Sequence, residues 1–336
     1  MEVIQVSARP APHGVYAVAG RLLFIESYNL QLRNLIVELF AGWQLTPVTA
    51  PERAPDIRIE FFCCDALPEI PPKLNHFEIA ESGKCYTNGA DYYLTLSNAL
   101  LHLQNGNEIA VSVWFAELPG PRDPVLARMT SFAVCAALRR FGLFELHSAG
   151  VVHPESEKGV LIIGPSGSGK STLALQLALA GWPYLSDDEL LLSLVNGEVE
   201  ARGFRSFFAV SSATAVATGI DKIGGSDSSG RFKTCFEPNT VVAAQRKLQA
   251  LPRLLLFISL SGEYETRLNK LTQAESMTRL IRACPWATYD TAVAARNLEL
   301  LSTLARQTSA FDLFAGRDLL EPKHASDLLS RYLEVN

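Results

Sequence analysis

The apolar positions of this chain first fall into short runs that alternate with polar residues, the period of strands. Leu22-Leu-Phe-Ile25 is compact, Asp56-Ile-Arg-Ile-Glu-Phe-Phe62 alternates as a strand with one wet face does, and Asp91-Tyr-Tyr-Leu-Thr-Leu96 begins a third. Leu100 to Leu103 and Ile109 to Phe115 flank Asn105-Gly106-Asn107, which predicts a hairpin. Between the first two strands, Asn29 to Phe40 carries apolar residues at helical spacing. These elements predict a small α+β domain over residues 1–120, a scaffold or substrate-docking module with nothing in it that reads as catalytic.

Pro119-Gly-Pro-Arg-Asp-Pro124 interrupts the pattern, because it can continue neither a strand nor a helix. A second domain over residues 121–336 is expected to start here, with Asp123 or a neighbour capping a helix that holds Pro124 in its first turn and runs from Val125 to Phe141. Leu143 to Val152 then reads as a strand, and Val160 to Ile163 as a continuous apolar run that suits a strand covered on both faces. Ser171 to Ala180 predicts a buried helix closed by Gly181 at its C′ position and Pro183 just beyond. Tyr184 to Leu194 offers a strand broken by acids, and Asn196-Gly197 turns it into Glu198 to Phe208. Gly219 to Arg231 is rich in Gly, Ser and Asp and predicts a mobile loop beside the site. Arg253 to Ser259 is another buried strand, Gln273 to Ala283 and Asp290 to Gln307 are helices, and Phe311 to Phe314 is a last strand before a closing helix.

Composition narrows the class. With 336 residues, 48% hydrophobic and 19% charged, the chain can bury a real core, and it has no apolar run long enough to span a bilayer. The first residues lack the basic start and apolar core of a signal peptide, so a cytoplasmic location is expected. A net charge of −5 without a basic block argues against nucleic acid as the main partner. The six cysteines are scattered with no C-x-x-C spacing, which argues against a zinc site or a disulfide framework and fits a reducing compartment.

The chemistry concentrates where the strand Val160 to Ile163 ends. Gly164-Pro165-Ser166-Gly167-Ser168-Gly169-Lys170-Ser171-Thr172 fills every position of the G-x4-G-K-[ST] pattern between a strand and a helix. Glycines let successive backbone N–H groups turn toward phosphate oxygens, with the positive end of the helix dipole behind them. These nine residues are therefore the expected ATP cradle, Lys170 reaching the β- and γ-phosphates and the Ser171 hydroxyl ligating Mg2+. A second Mg2+ ligand ordinarily comes from an acid at the end of an apolar strand. The best such strand, Leu254 to Ile258, ends in Ser259 instead, and the acids sit at Asp187-Asp188, after the loop helix and one short strand.

With these motifs in order, and with His147 upstream and Glu200-Ala-Arg202-Gly203 downstream, residues 143–210 resemble the catalytic domain of bacterial HPr kinase/phosphorylase. That family is related in fold to phosphoenolpyruvate carboxykinase, so the resemblance implies an α/β P-loop kinase domain behind the small α+β domain. It further implies that one of Asp187 and Asp188 accepts the proton of an attacking serine hydroxyl while the other helps hold Mg2+; Asp187 is taken as the base and Asp188 as the ligand. His147 would assist the acid pair near the phosphates, Glu200 would join the metal, and Arg202 would neutralise phosphate charge. The sequence departs from the family after Gly203, reading Phe204-Arg-Ser-Phe-Phe208, and the family's Gly-rich phosphorylase loop is not evident. In outline the chain is similar to HPr-kinase-related proteins found beside peptide-modification genes, some of which phosphorylate a serine of a ribosomally made precursor peptide. Gly316-Arg-Asp-Leu319 also matches a strand end in those relatives. The resemblance thus implies a peptide or small-protein substrate, with no nucleic acid or membrane partner, and a homo-oligomer in so far as HPr kinases form hexamers. The same residues would also suit a kinase for a small hydroxyl compound, or a nucleotide-binding sensor that transfers nothing.

Overall fold

A computed structural model describes residues 14–79, 83–89, 91–106, 108–121, 123–218, 220, 233–236 and 245–334. The predicted loop Gly219 to Arg231 lies outside the described residues apart from Ile220. Internal contacts divide the chain into residues 1–141 and 142–336.

The first unit is a nine-stranded sheet in the order Thr46–Val48, Gly14–Val18, Arg21–Ser27, Ile57–Cys63, Ile109–Phe115, Ala99–Asn105, Tyr92–Leu96, Gly83–Thr87, Asn75–Ile79. Alternation decides which face is covered: Ile57, Ile59 and Phe61 are buried, whereas Arg58, Glu60 and Phe62 between them are only partly so. The helix Leu30–Phe40 begins where the Asn29 side chain accepts the N–H groups of Gln31 and Leu32. The helix Pro124–Arg140 is capped by Asp123, one of the caps its sequence allows, with its carboxylate accepting Val125 N–H at 2.8 Å. Its place differs from the expected domain boundary at 120/121. Leu126, Met129, Ala133 and Val134 are buried, the helix packs on Ala99–Asn105 and Ile109–Phe115, and Arg139 donates to the Tyr92 hydroxyl at 3.0 Å. The proline-rich break is therefore a turn inside the first unit, and the helix closes that unit instead of opening the next.

The second unit is built on a six-stranded mixed sheet: Tyr184–Ser186, Ser148–Val152, Gly159–Ile163, Pro252–Leu260, Ser309–Ala315, Arg267–Lys270. Only the two pairings made by Pro252–Leu260 with Gly159–Ile163 and with Ser309–Ala315 are parallel. Successive residues of these strands serve different cores. Val160, Ile162, Leu254 and Leu256 pack with the helices Lys170–Leu179 and Pro322–Glu334. Leu161, Ile163, Leu255 and Phe257 pack with the helices Gln273–Ala283 and Ala294–Gln307 and with a second, four-stranded sheet. That sheet runs Phe144–Leu146, Leu190–Val195, Glu198–Gly203, Gln249–Ala250. Strands with a core on each face must be apolar throughout, which is why they read as continuous runs. Cys63, Cys64, Cys85, Cys135 and Cys284 are free thiols.

The helix Lys170–Leu179 ends as predicted at Gly181, whose φ of +93° only glycine adopts readily. Gly181 N–H bonds the Ala178 carbonyl and Trp182 N–H the Leu177 carbonyl, both at 3.0 Å, so a Schellman turn satisfies the last carbonyls. It drives Trp182 into the core, where Nε1 donates to Ser326 Oγ at 2.9 Å.

The strand Ser309–Ala315 stops before Gly316, and Arg317–Leu320 turns as a 3-10 helix. Gly316 is there for space: a Cβ would lie 2.4 Å from the Tyr264 carbonyl oxygen. Asp318 then ties the turn down by accepting Thr266 N–H at 2.9 Å and Thr266 Oγ1–H at 2.5 Å. Burial pushes the Asp318 carboxyl up, but these bonds, with the His324 ring nearby, outweigh it and hold the group below its ordinary range. With the folded value below the unfolded one, the contribution is complete above about pH 5 and is lost as the pH falls through the folded value. Urea titrations should therefore show a smaller loss of stability from pH 7 to pH 3 in Asp318→Asn than in the native chain; equal losses would remove this role. Gly316→Ala should lower stability by about 1–3 kcal/mol, since the added methyl meets backbone that cannot give way easily.

Candidate functional site

Two neighbouring strand segments change sheets at the same level. Phe144–Leu146 belongs to the four-stranded sheet and Ser148–Val152 to the six-stranded one, with His147 between them. Tyr184–Ser186 belongs to the six-stranded sheet and Leu190–Val195 to the four-stranded one, with Asp187-Asp188-Glu189 between them. The sequence predicts one strand over Leu143 to Val152; the structure breaks it at His147 because its two halves pair with different partners. The result sets the ring of His147 beside the acids: Nδ1 lies 3.3 Å from Asp188 Oδ1.

The loop that follows Gly159–Ile163 turns under the same point. Gly167 and Gly169 hold φ of +83° and +100°, and a Cβ on Gly164 would meet Ser168 Oγ at 2.5 Å and the Ile258 carbonyl oxygen at 2.7 Å. Gly169 is also the N-cap of the helix Lys170–Leu179, which has no side-chain cap. Lys170, only 5% exposed, turns back over the loop. Its ammonium donates to the Gly164 carbonyl at 2.8 Å, the Pro165 carbonyl at 3.1 Å and His147 Nε2 at 3.0 Å. Three donors thus have three acceptors, which is what lets a charged group sit where water is scarce. Since Nε2 accepts from Lys170, the ring proton belongs on Nδ1, facing Asp188.

The two aspartates are adjacent yet differ in environment. Asp187 is 1% exposed, and its Oδ2 accepts Ala209 N–H at 2.7 Å while its carbonyl receives the Ser171 hydroxyl at 3.4 Å. Asp188 is open to solvent, with 43% of its side chain exposed. Behind the loop, Thr172 Oγ1 and Ser211 Oγ each lie 2.9 Å from Thr214 Oγ1, so the helix start is tied to the segment after the strand Phe208–Ser211.

Two cavities adjoin here. The first, about 460 Å3, is lined by Lys170, Ser171, Asp188 and His147 together with Leu260, Leu319 and Leu320. Gly167, Gly169, Ser166 and Thr172 also line it. The second, about 540 Å3, shares His147 and Ile258 with the first and is lined by Gly164, Pro165, Arg279, Arg282 and Asp312. Neither is lined by Asp187, Glu200 or Arg202. Glu200 and Arg202 lie on the strand Glu198–Gly203 opposite Ser193 and Leu191, and Arg202 donates to the Gln249 side chain. The structure therefore brings together His147, Lys170, Ser171 and Asp188, with Asp187 beneath them, and leaves Glu200 and Arg202 apart. Thr214, the Leu319-Leu320 wall and the Arg279/Arg282 pair were missed from sequence. Two arginines three residues apart on a helix look like any solvated face, and no spacing marks them.

Among the described residues no group of three or more His, Cys, Asp or Glu side chains converges as a metal cage. Mg2+ beside phosphates needs only one or two protein oxygens, the rest coming from phosphate and water. The Ser171 hydroxyl and the Asp188 carboxylate, hard oxygen donors on one cavity wall, fit that requirement; Glu200 does not share the wall.

No protein-family model matches the chain, and no curated protein does. Among solved structures, the HPr(Ser) kinase/phosphatase from Coxiella burnetii is similar, at 12% identity and a TM-score of 0.32, over 57% of this chain and 97% of that one. A likeness of that size carries no argument, so the functional reading rests on the geometry. None of the helices among the described residues is long and apolar enough to cross a membrane.

The two aspartates should separate in a stability measurement. Asp187→Ala leaves the Ala209 N–H without its acceptor and should cost about 1–3 kcal/mol in urea unfolding. Asp188→Ala removes only an exposed pair and should change stability by less than about 1 kcal/mol; equal costs would contradict the assignment.

Proposed function

We propose that the chain is an ATP- and Mg2+-dependent kinase that passes a γ-phosphoryl group to a hydroxyl, a serine of a peptide or small protein. The observation that carries this reading is the Lys170 ammonium, pinned between the first carbonyls of a glycine loop and His147 at the junction of two cavities. A lysine so placed sits at the loop whose N–H groups would face the phosphates. The first cavity suits a nucleotide, with an apolar wall at Leu319 and Leu320 for a base and the loop for phosphates.

The proton path differs from the sequence expectation. Asp187 is buried and occupied by Ala209 N–H, so it serves as a positioning residue. His147 takes the base role instead. When Lys170 turns to phosphate, Nε2 loses its donor and can accept the hydroxyl proton, while Asp188 holds the opposite edge of the ring, the logic of a histidine–carboxylate pair. The acceptor oxygen then bonds to the γ-phosphorus, the bridging P–O bond breaks, and its electron pair leaves with ADP. Ser171 and Asp188 would hold Mg2+, which neutralises charge on the β- and γ-phosphates. Arg202 and Glu200 have no part in this scheme.

Incubation with ATP, Mg2+ and a pool of serine peptides, followed by mass analysis, tests the reading. Lys170→Ala should lower turnover by about 10²–10³-fold, and His147→Gln by about 10²–10⁴-fold with nucleotide affinity kept. Nucleotide binding with no transfer to any hydroxyl would replace the kinase by a nucleotide sensor. Full activity in His147→Gln with loss in Asp187→Asn would return the base role to Asp187.

A further inference from the structure

The second cavity has a side and a charge of its own. Lys170 marks the end of the loop where a terminal phosphoryl would lie, and the residues that hold its ammonium, Gly164, Pro165 and His147, all line the second cavity. On the kinase reading, the reacting end of a bound triphosphate therefore lies where the two cavities meet at His147.

Its charged and titratable lining groups are His147, Arg279, Arg282 and Asp312. Asp312 is taken by Arg279, whose guanidinium also stands 5.8 Å from the centre of the Phe257 ring. Arg282 makes no ion pair or hydrogen bond among the described residues, which leaves the cavity one uncompensated positive charge. Both arginines sit on the helix Gln273–Ala283, three residues apart and so on one face. That helix is firmly placed: Thr272 and Glu275 close a capping box at its start, and Ser276 and Leu280 are buried beneath it. An arginine in the last turn of a helix is favoured there by the dipole. Here Arg282 also lines a cavity that Gly164 and Pro165 of the glycine loop line as well.

We propose that this cavity is the acceptor site, and that Arg282 with Arg279 selects a serine lying next to an acidic residue in a peptide. The proposal rests on the kinase reading above. A guanidinium fork suits a carboxylate, and pairing with it would hold the neighbouring hydroxyl toward His147.

The test uses the full chain with matched peptides in which serine is flanked by Asp, Asn or Lys, scored by kcat/KM. The native chain should favour the Asp peptide over the Asn peptide by roughly tenfold or more, the size of a charge-assisted bond. Arg282→Glu should invert the order toward the Lys peptide, and Arg282→Gln should abolish it. Arg282 is exposed and lies outside the first cavity, so nucleotide affinity should stay within about twofold in both variants. Equal use of all three peptides, or an acidic preference that survives Arg282→Glu, would overturn this inference and leave the kinase reading standing. Transfer to free hydroxy acids but to no peptide would overturn the peptide occupant. Nucleotide binding without any transfer would overturn the kinase reading and this proposal together.

Discussion

The arrangement of the second unit depends on one backbone constraint: two adjacent strand segments leave one sheet for another side by side. At each exchange the ladder is interrupted, and the freed polar groups need other partners. Asp187 supplies one by accepting Ala209 N–H, the Asp187 carbonyl takes the Ser171 hydroxyl, and the Glu189 carbonyl takes Phe204 N–H. These bonds fix the strand Phe208–Ser211 and the first turn of the loop helix against the same point. The site is therefore assembled by the requirements of the backbone before any chemistry is considered.

The same constraint explains how neighbouring acids come to differ. At a strand end, consecutive side chains point to opposite sides, so Asp187 turns into the fold and Asp188 into the cavity. One becomes a structural acceptor and the other a partner for His147. His147 faces both ways, its Nδ1 to Asp188 and its Nε2 to Lys170, and so belongs to both cavities. An imidazole shared by two cavities of similar size is compatible with the transfer proposed above.

Lys170 adds a built-in competition. In the absence of phosphate its charge is satisfied by two loop carbonyls and an imidazole, a set that keeps the loop compact and the histidine occupied. Phosphate oxygens would offer a stronger, charged acceptor and release all three at once. On the proposed reading, that exchange would free His147 Nε2 when phosphate binds.

The sequence by itself determined the local elements and the loop: the glycine positions, Lys170 and Ser171, the stop at Gly181, the cap at Asp123 and the continuous apolar strands each follow from short-range sterics, hydrogen bonding or burial on two faces. It did not determine which unit the helix Pro124–Arg140 joins, because its apolar face fits any sheet, and only packing on Ala99–Asn105 and Ile109–Phe115 decides. Nor could it divide Leu143 to Val152 at His147, separate Asp187 from Asp188, leave Glu200 and Arg202 aside or bring Arg282 to the loop. Those outcomes depend on which strands pair and which faces meet, and pairing between segments tens of residues apart leaves no periodic mark on either one.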